Sequence, residues 1–83
     1  MFEHGGIKDK SFLEVGCGPC PIGRRLVDKG ARKVIGLDIS QSMIDMADKE
    51  LTELGIRDKF ELVVADIFDP ELKLSEKVDY VIC

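Results

Sequence analysis

A doubly wound parallel α/β sheet is the fold this 83-residue chain predicts, on three observations. Apolar runs rich in β-branched residues recur at Ser11–Val15, 33–37, 60–65 and 78–82. Each is too short for a helix and nearly unbroken in hydrophobicity, as a strand covered on both faces is. Segments with helical spacing separate the first three runs, and a glycine-rich turn follows the first.

The elements follow in order. After the first strand, "PIGRRLVDKG" (21–30) places Pro21 in a first helical turn, where no amide donor is needed. Ile22, Leu26 and Val27 share one face, and Gly30 is the expected stop. The second strand, 33–37, runs into Asp38. "SQSMIDMADKELTELG" (40–55) opens on a serine cap, sets Met43, Ile44, Ala47, Leu51 and Leu54 at helical spacing, and stops at Gly55. The third strand, 60–65, leads to Asp66. Pro70 breaks "IFDPELKLSEK" (67–77), so a loop with one short helical turn is expected before the last strand. Right-handed crossovers between these strands build a single parallel sheet. The chain has no internal repeat and no low-complexity segment.

Composition bounds the function. With 45% hydrophobic and 34% charged residues the chain is globular and at most one domain. Four strands are few for a complete α/β enzyme, and the apolar run ending at Cys83 leaves a strand edge without a partner. Residues 1–83 are therefore expected to be part of a longer domain, or to self-associate through the fourth strand. A net charge of −4, with no basic cluster larger than Arg24 and Arg25, argues against a partner bound through a nucleic-acid backbone. No apolar run approaches the ~20 residues of a membrane span. The start "MFEHGGIKDK" is too polar for a signal peptide, so the expected location is cytoplasmic. Three cysteines, an odd number without an export signal, are expected to be reduced. His4 has no expected role.

In such sheets the ligand lies beyond the carboxyl ends of the strands, beside the turn from the first strand to its helix. Glu14, Asp38 and Asp66 are expected at that rim. Gly16 and Gly18 allow a tight turn and close approach of a ligand. Asp38 follows the glycines at about the 20-residue spacing of a carboxylate that accepts ribose hydroxyls. Pro21 occupies the third position of G-x-G-x-x-G, and Glu14 places negative charge next to the turn. Both favour a cationic, amino-acid-like ligand over a pyrophosphate.

Taken together, "FLEVGCGPCPIGRRLVDKG", "KVIGLDISQSMIDMA", "FELVVADIFD" and "VDYVIC" resemble, motif by motif and in order, the first half of class I S-adenosylmethionine-dependent methyltransferases, whose fold is Rossmann-like. The resemblance implies S-adenosyl-L-methionine as cofactor and methyl transfer as activity. It implies that Glu14, Gly16, Cys17 and Gly18 surround the methionine part of the cofactor and that Asp38 holds the ribose. Ile39 and Met43 would pack on adenine, and Asp66 with the backbone of Ile67 would address its edge. Cys20 stands where the family often has a further glycine. No catalytic base, metal or methyl acceptor is implied by these residues; in-line positioning of donor and acceptor is most of what the chemistry asks.

Other readings compete. An NAD-type dinucleotide-binding module lacks support at Pro21. A truncated, non-catalytic domain is supported by length. The "CGPC" of residues 17–20 spells a thioredoxin-type redox motif, but Gly16 stands where a tryptophan is usual. A zinc site would have only Cys83 and His4 to complete it.

Overall fold

The computed structural model describes residues 6–83; His4 lies outside them. The elements are β1 (Ser11–Val15), α1 (Pro21–Asp28), β2 (Lys33–Asp38), α2 (Gln41–Glu53), a 3-10 turn (Arg57–Lys59), β3 (Phe60–Val64) and β4 (Tyr80–Ile82). All strand pairings are parallel, in the order β3-β2-β1-β4, so the chain winds outward through β2 to β3 and then crosses to the far side of β1. That reversal at β1 makes the sheet doubly wound, the arrangement in which ligands bind beyond the carboxyl edge.

Alternation along the strands divides the core. Phe12, Val34 and Phe60 face the helices and bury against Leu26 of α1 and Ile44, Ala47 and Leu51 of α2. Leu13, Ile35 and Leu37 face the opposite way, where Val63, Leu72, Leu74 and Val78 cover them. Full burial of side chains of this size stabilises by about 1.5–3 kcal/mol each. Phe12 also stacks on Tyr80 across the β1–β4 pair, with ring centroids 5.3 Å apart.

Several expectations are corrected. The stop of α1 is not among them: the helix ends at Asp28, and Gly30, at φ +100°, closes it as expected, its N–H donating to Val27 O at 3.0 Å. The buried residues of α1 are Gly23 and Leu26, whereas Ile22 is 40% exposed. The helix sits so close to the sheet that a Cβ on Gly23 would lie 2.8 Å from Phe60 Cε2 and 3.0 Å from Val34 Cγ1. Only glycine fits the contact line, which rolls Ile22 outward.

β4 starts at Tyr80 because Asp79 uses its side chain: Oδ2 accepts the Ser11 N–H at 2.8 Å. β3 ends at Val64, leaving Asp66 in the following loop. No helical turn forms at 67–77. Instead Asp66 Oδ1 accepts the Phe68 N–H and Asp69 Oδ1 accepts the Glu71 N–H, each at 2.9 Å, making two successive side-chain-capped turns around Pro70.

Candidate cofactor site

The turn leaving β1 is built from conformations that only small residues adopt freely. Gly16 has φ +66° and Gly18 φ +51°, and a Cβ on either would meet nothing within 4 Å. The turn therefore presents bare backbone to open space. It is pinned from beneath, because Gly16 N–H and Cys17 N–H both donate to Leu37 O, at 2.8 and 3.1 Å.

Asp38, at the end of β2, holds the same turn from the side. Its Oδ2 accepts the Gly18 N–H and its Oδ1 accepts the Ser40 N–H, each at 2.9 Å. One carboxylate thus ties the glycine turn to the start of α2. Each oxygen keeps further acceptor capacity. Ser40 caps α2, its Oγ accepting the Met43 N–H at 3.3 Å.

The apolar side of the rim is exposed. Ile39 is 72%, Met43 37% and Ile67 36% accessible, while the neighbouring Ile44 is core. Asp66 is exposed with its Oδ1 used on the Phe68 amide. Asp38 thus ends β2, while Ile39, Met43, Asp66, Ile67, Gly16 and Gly18 stand on the loops and helix start that follow β1, β2 and β3.

Two candidate residues point elsewhere. Glu14 is buried, with its Oε1 accepting the Gly23 N–H at 2.8 Å inside the first turn of α1, so only two of the three expected carboxylates stand on the open rim. Burial pushes its carboxyl up from the ordinary range, partly offset by the Gly23 and Ile22 amides. Cys17 offers its backbone to the rim, but its side chain is buried. Its Sγ lies over Gly36, 3.1 Å from where a Cβ would stand, beside Cys20 Sγ at 2.8 Å.

Sequence reasoning passed over Gly36, Gly23 and Phe68. A glycine inside a strand signals a close approach, which was the available clue for Gly36. Phe68, 87% exposed next to Asp66, carries no periodic signal in its loop. Among the described residues no cluster of His, Cys, Asp and Glu could hold a metal ion.

A parallel sheet with its strand reversal at β1, a glycine turn there and a carboxylate on the neighbouring strand defines a doubly wound α/β domain. The chain belongs to the methyltransferase domain family, whose model matches residues 12–83. It is 45% identical over 76 residues to protein arginine N-methyltransferase 1 of Saccharomyces cerevisiae, covering 90% of this chain and 21% of that protein. Over 36 residues it is 51% identical to the N-demethylindolmycin N-methyltransferase of Streptomyces griseus, covering 43% of this chain and 15% of that enzyme.

Among solved structures, the Trypanosoma brucei PRMT1 enzyme–prozyme heterotetrameric complex with AdoHcy matches with a TM-score of 0.78 at 35% identity, over 89% of this chain and 22% of that one. A putative RNA methyltransferase from Pyrococcus horikoshii matches at 0.76 and 25% identity, over 93% and 35%. The chain spans about a fifth of the length of the arginine methyltransferases it matches.

Proposed function

We propose that this chain forms the cofactor-binding half of an S-adenosyl-L-methionine-dependent methyltransferase. The observation that carries the reading is the Asp38 clamp, one carboxylate bonded to both the glycine turn and the α2 start. The residues fit the cofactor: an empty cradle over Gly16 and Gly18, acceptor capacity left on Asp38, and exposed apolar surface on Ile39, Met43 and Ile67.

In this reading Asp38 accepts the ribose hydroxyls. Ile39 and Met43 shield the adenine faces, and Asp66 with the Ile67 backbone meets its edge. The backbone of Gly16, Cys17 and Gly18 lies along the methionine part. Glu14 acts one step removed, holding α1 so that the turn keeps its shape. When bound, the cofactor supplies a methyl group already activated on a cationic sulfur. The protein's own task is to fix that group in line with an acceptor.

Relatives named for arginine, for ribosomal protein L11 and for N-demethylindolmycin match 90%, 81% and 43% of this chain. The stretch shared by such different acceptors serves the cofactor, and the acceptor is chosen by other parts of such enzymes. Calorimetric titration with S-adenosylhomocysteine tests the reading. Saturable binding that weakens about tenfold or more in Asp38→Ala supports it, given that a hydrogen bond to a charged group contributes about 1.5–3 kcal/mol. Absence of binding, or displacement by NADH at comparable concentration, overturns it.

A further inference from the structure

The cofactor reading has no use for two thiols, yet Cys17 and Cys20 are both buried beneath the turn it depends on. The Cys17 carbonyl accepts the Cys20 N–H at 2.8 Å, closing a turn whose end Cα atoms stay within about 7 Å. A disulfide asks for about 4.4–6.8 Å between those atoms. Both sulfurs converge on the bare backbone of Gly36, at 2.8 Å (Cys20) and 3.1 Å (Cys17) from the point a Cβ would occupy. They are neighbours on one side of the sheet.

We propose that Cys17 and Cys20 form a reversible disulfide whose closure draws the glycine turn away from β2, so that the cofactor seat responds to thiol–disulfide status. The effect on the cofactor rests on the function proposed above; the disulfide itself does not.

The oxidant is a low-molecular-weight disulfide. The Cys17 thiolate attacks one of its sulfurs, forming a mixed disulfide and expelling one thiolate. Cys20 then attacks Cys17 Sγ, its proton passing to the second departing thiolate. One disulfide is reduced to two thiols while the protein loses two electrons and two protons. Cys17 is the attacking group because it lies between the two adaptable glycines of the turn, whereas Cys20 is fixed at the start of α1. The Cys17 thiol is also held below the usual range by the hydrogen bond from Cys20, whose own thiol is pushed up.

The two ends respond unequally to the contraction to an S–S bond of about 2.05 Å. Cys20 is fixed at the start of α1, where its carbonyl accepts the Arg24 N–H at 3.0 Å. Cys17 lies between Gly16 and Gly18, the two most adaptable positions of the turn. The movement therefore falls on Cys17, and its bond to Leu37 O is lost first.

The test equilibrates the protein in glutathione buffers of increasing oxidised fraction, with three readouts. An unreduced digest analysed by mass spectrometry is expected to contain the 17–20 disulfide, with exposed Cys83 carrying glutathione. Amide hydrogen exchange at Gly16 and Cys17 is expected to speed up on oxidation. S-adenosylhomocysteine affinity is expected to fall about tenfold or more, an energetic shift comparable to losing one charged hydrogen bond, and to return with dithiothreitol. Cys20→Gly, which suits the φ of +58° at that position, is expected to give only a mixed disulfide on Cys17.

Free thiols at both positions in buffers that glutathionylate Cys83 would overturn the proposal. A disulfide that leaves exchange at Gly16 and Cys17 unchanged would overturn the displacement of the turn. If the reduced protein binds no S-adenosylhomocysteine, the cofactor reading fails while the digest and the exchange still decide the disulfide.

Discussion

Glu14 Oε1 accepts the Gly23 N–H at 2.8 Å, so a strand residue caps the helix that follows it. The residue at the cap position proper, Cys20, makes no side-chain bond to α1. Glu14 therefore satisfies amides that would otherwise be buried without an acceptor.

Its charge is a cost that the amides only partly offset, because burial raises its pKa. A raised folded value means the folded chain binds the proton more tightly than the unfolded one. The associated stability is full below the unfolded value and is lost as pH rises through the folded value. Glu14→Gln keeps an acceptor without the charge, so its stability relative to the parent is expected to improve from about pH 4 to about pH 8. Glu14→Ala is expected to lose about 1–3 kcal/mol at either pH through the orphaned amides. Urea denaturation at both pH values checks this; equal losses for Gln and Ala at the higher pH would mean that α1 requires the negative charge.

Gly36 and Cys20 are expected to be coupled. A Cβ at 36 would stand 2.8 Å from Cys20 Sγ and 3.1 Å from Leu62 Cδ2, so Gly36→Ala overpacks the middle of the sheet. The expected loss is about 1–3 kcal/mol. Removing the sulfur with Cys20→Gly opens the space, and the double variant is expected to recover at least ~0.5 kcal/mol relative to additivity. A fully additive cycle in thermal or urea unfolding would show that the two atoms do not compete.

Asp79 governs acid sensitivity at the β1–β4 seam. Its Oδ2 accepts both the Ser11 N–H at 2.8 Å and the Ser11 O–H at 3.2 Å, and the bond from the Ser11 backbone holds its pKa below the usual range. A depressed folded value contributes stability above the unfolded value that is lost as pH falls toward the folded one. Asp79→Asn is expected to lower Tm near neutrality and to flatten its decline between about pH 5 and about pH 3. An unchanged acid slope in the variant would assign that slope to other carboxylates.

β1 and β2 were legible because burial on both faces leaves an unbroken apolar run, β3 and β4 because they carry the same kind of run although they are less buried, and α2 because its apolar spacing lies between a serine cap and a glycine stop. The direction of Glu14 was legible in principle: it alternates with Leu13 and Val15 and so shares the helix-facing side with Phe12. What misled was its position beside the glycines, which suggests a ligand contact as readily as a cap. Gly23 could not be read from local pattern, since its reason is a ring from β3, 37 residues along the chain, that leaves no room for a Cβ. The helical turn expected at 67–77 failed because Asp66 and Asp69 offer the amides of Phe68 and Glu71, two residues on, a local acceptor, a competition that favours turns over helix.

Met43 and Ile44 are adjacent on α2 and are expected to separate binding from stability. Ile44 is 7% exposed and packs into the core, whereas Met43 is 37% exposed at the rim beside Ile39. Ile44→Ala is expected to lose about 2–5 kcal/mol of folding stability, the cost of a buried cavity. Met43→Ala is expected to change stability by no more than ~0.5 kcal/mol, as at other surface positions. If Met43 shields adenine, losing its buried side chain weakens S-adenosylhomocysteine binding by about 1.5–3 kcal/mol, or roughly ten- to hundredfold. Unfolding and calorimetry on both variants read the two effects separately. A Met43→Ala protein that binds like the parent would leave Met43 as no more than an exposed methionine, with Ile39 and Ile67 as the remaining apolar contacts to test.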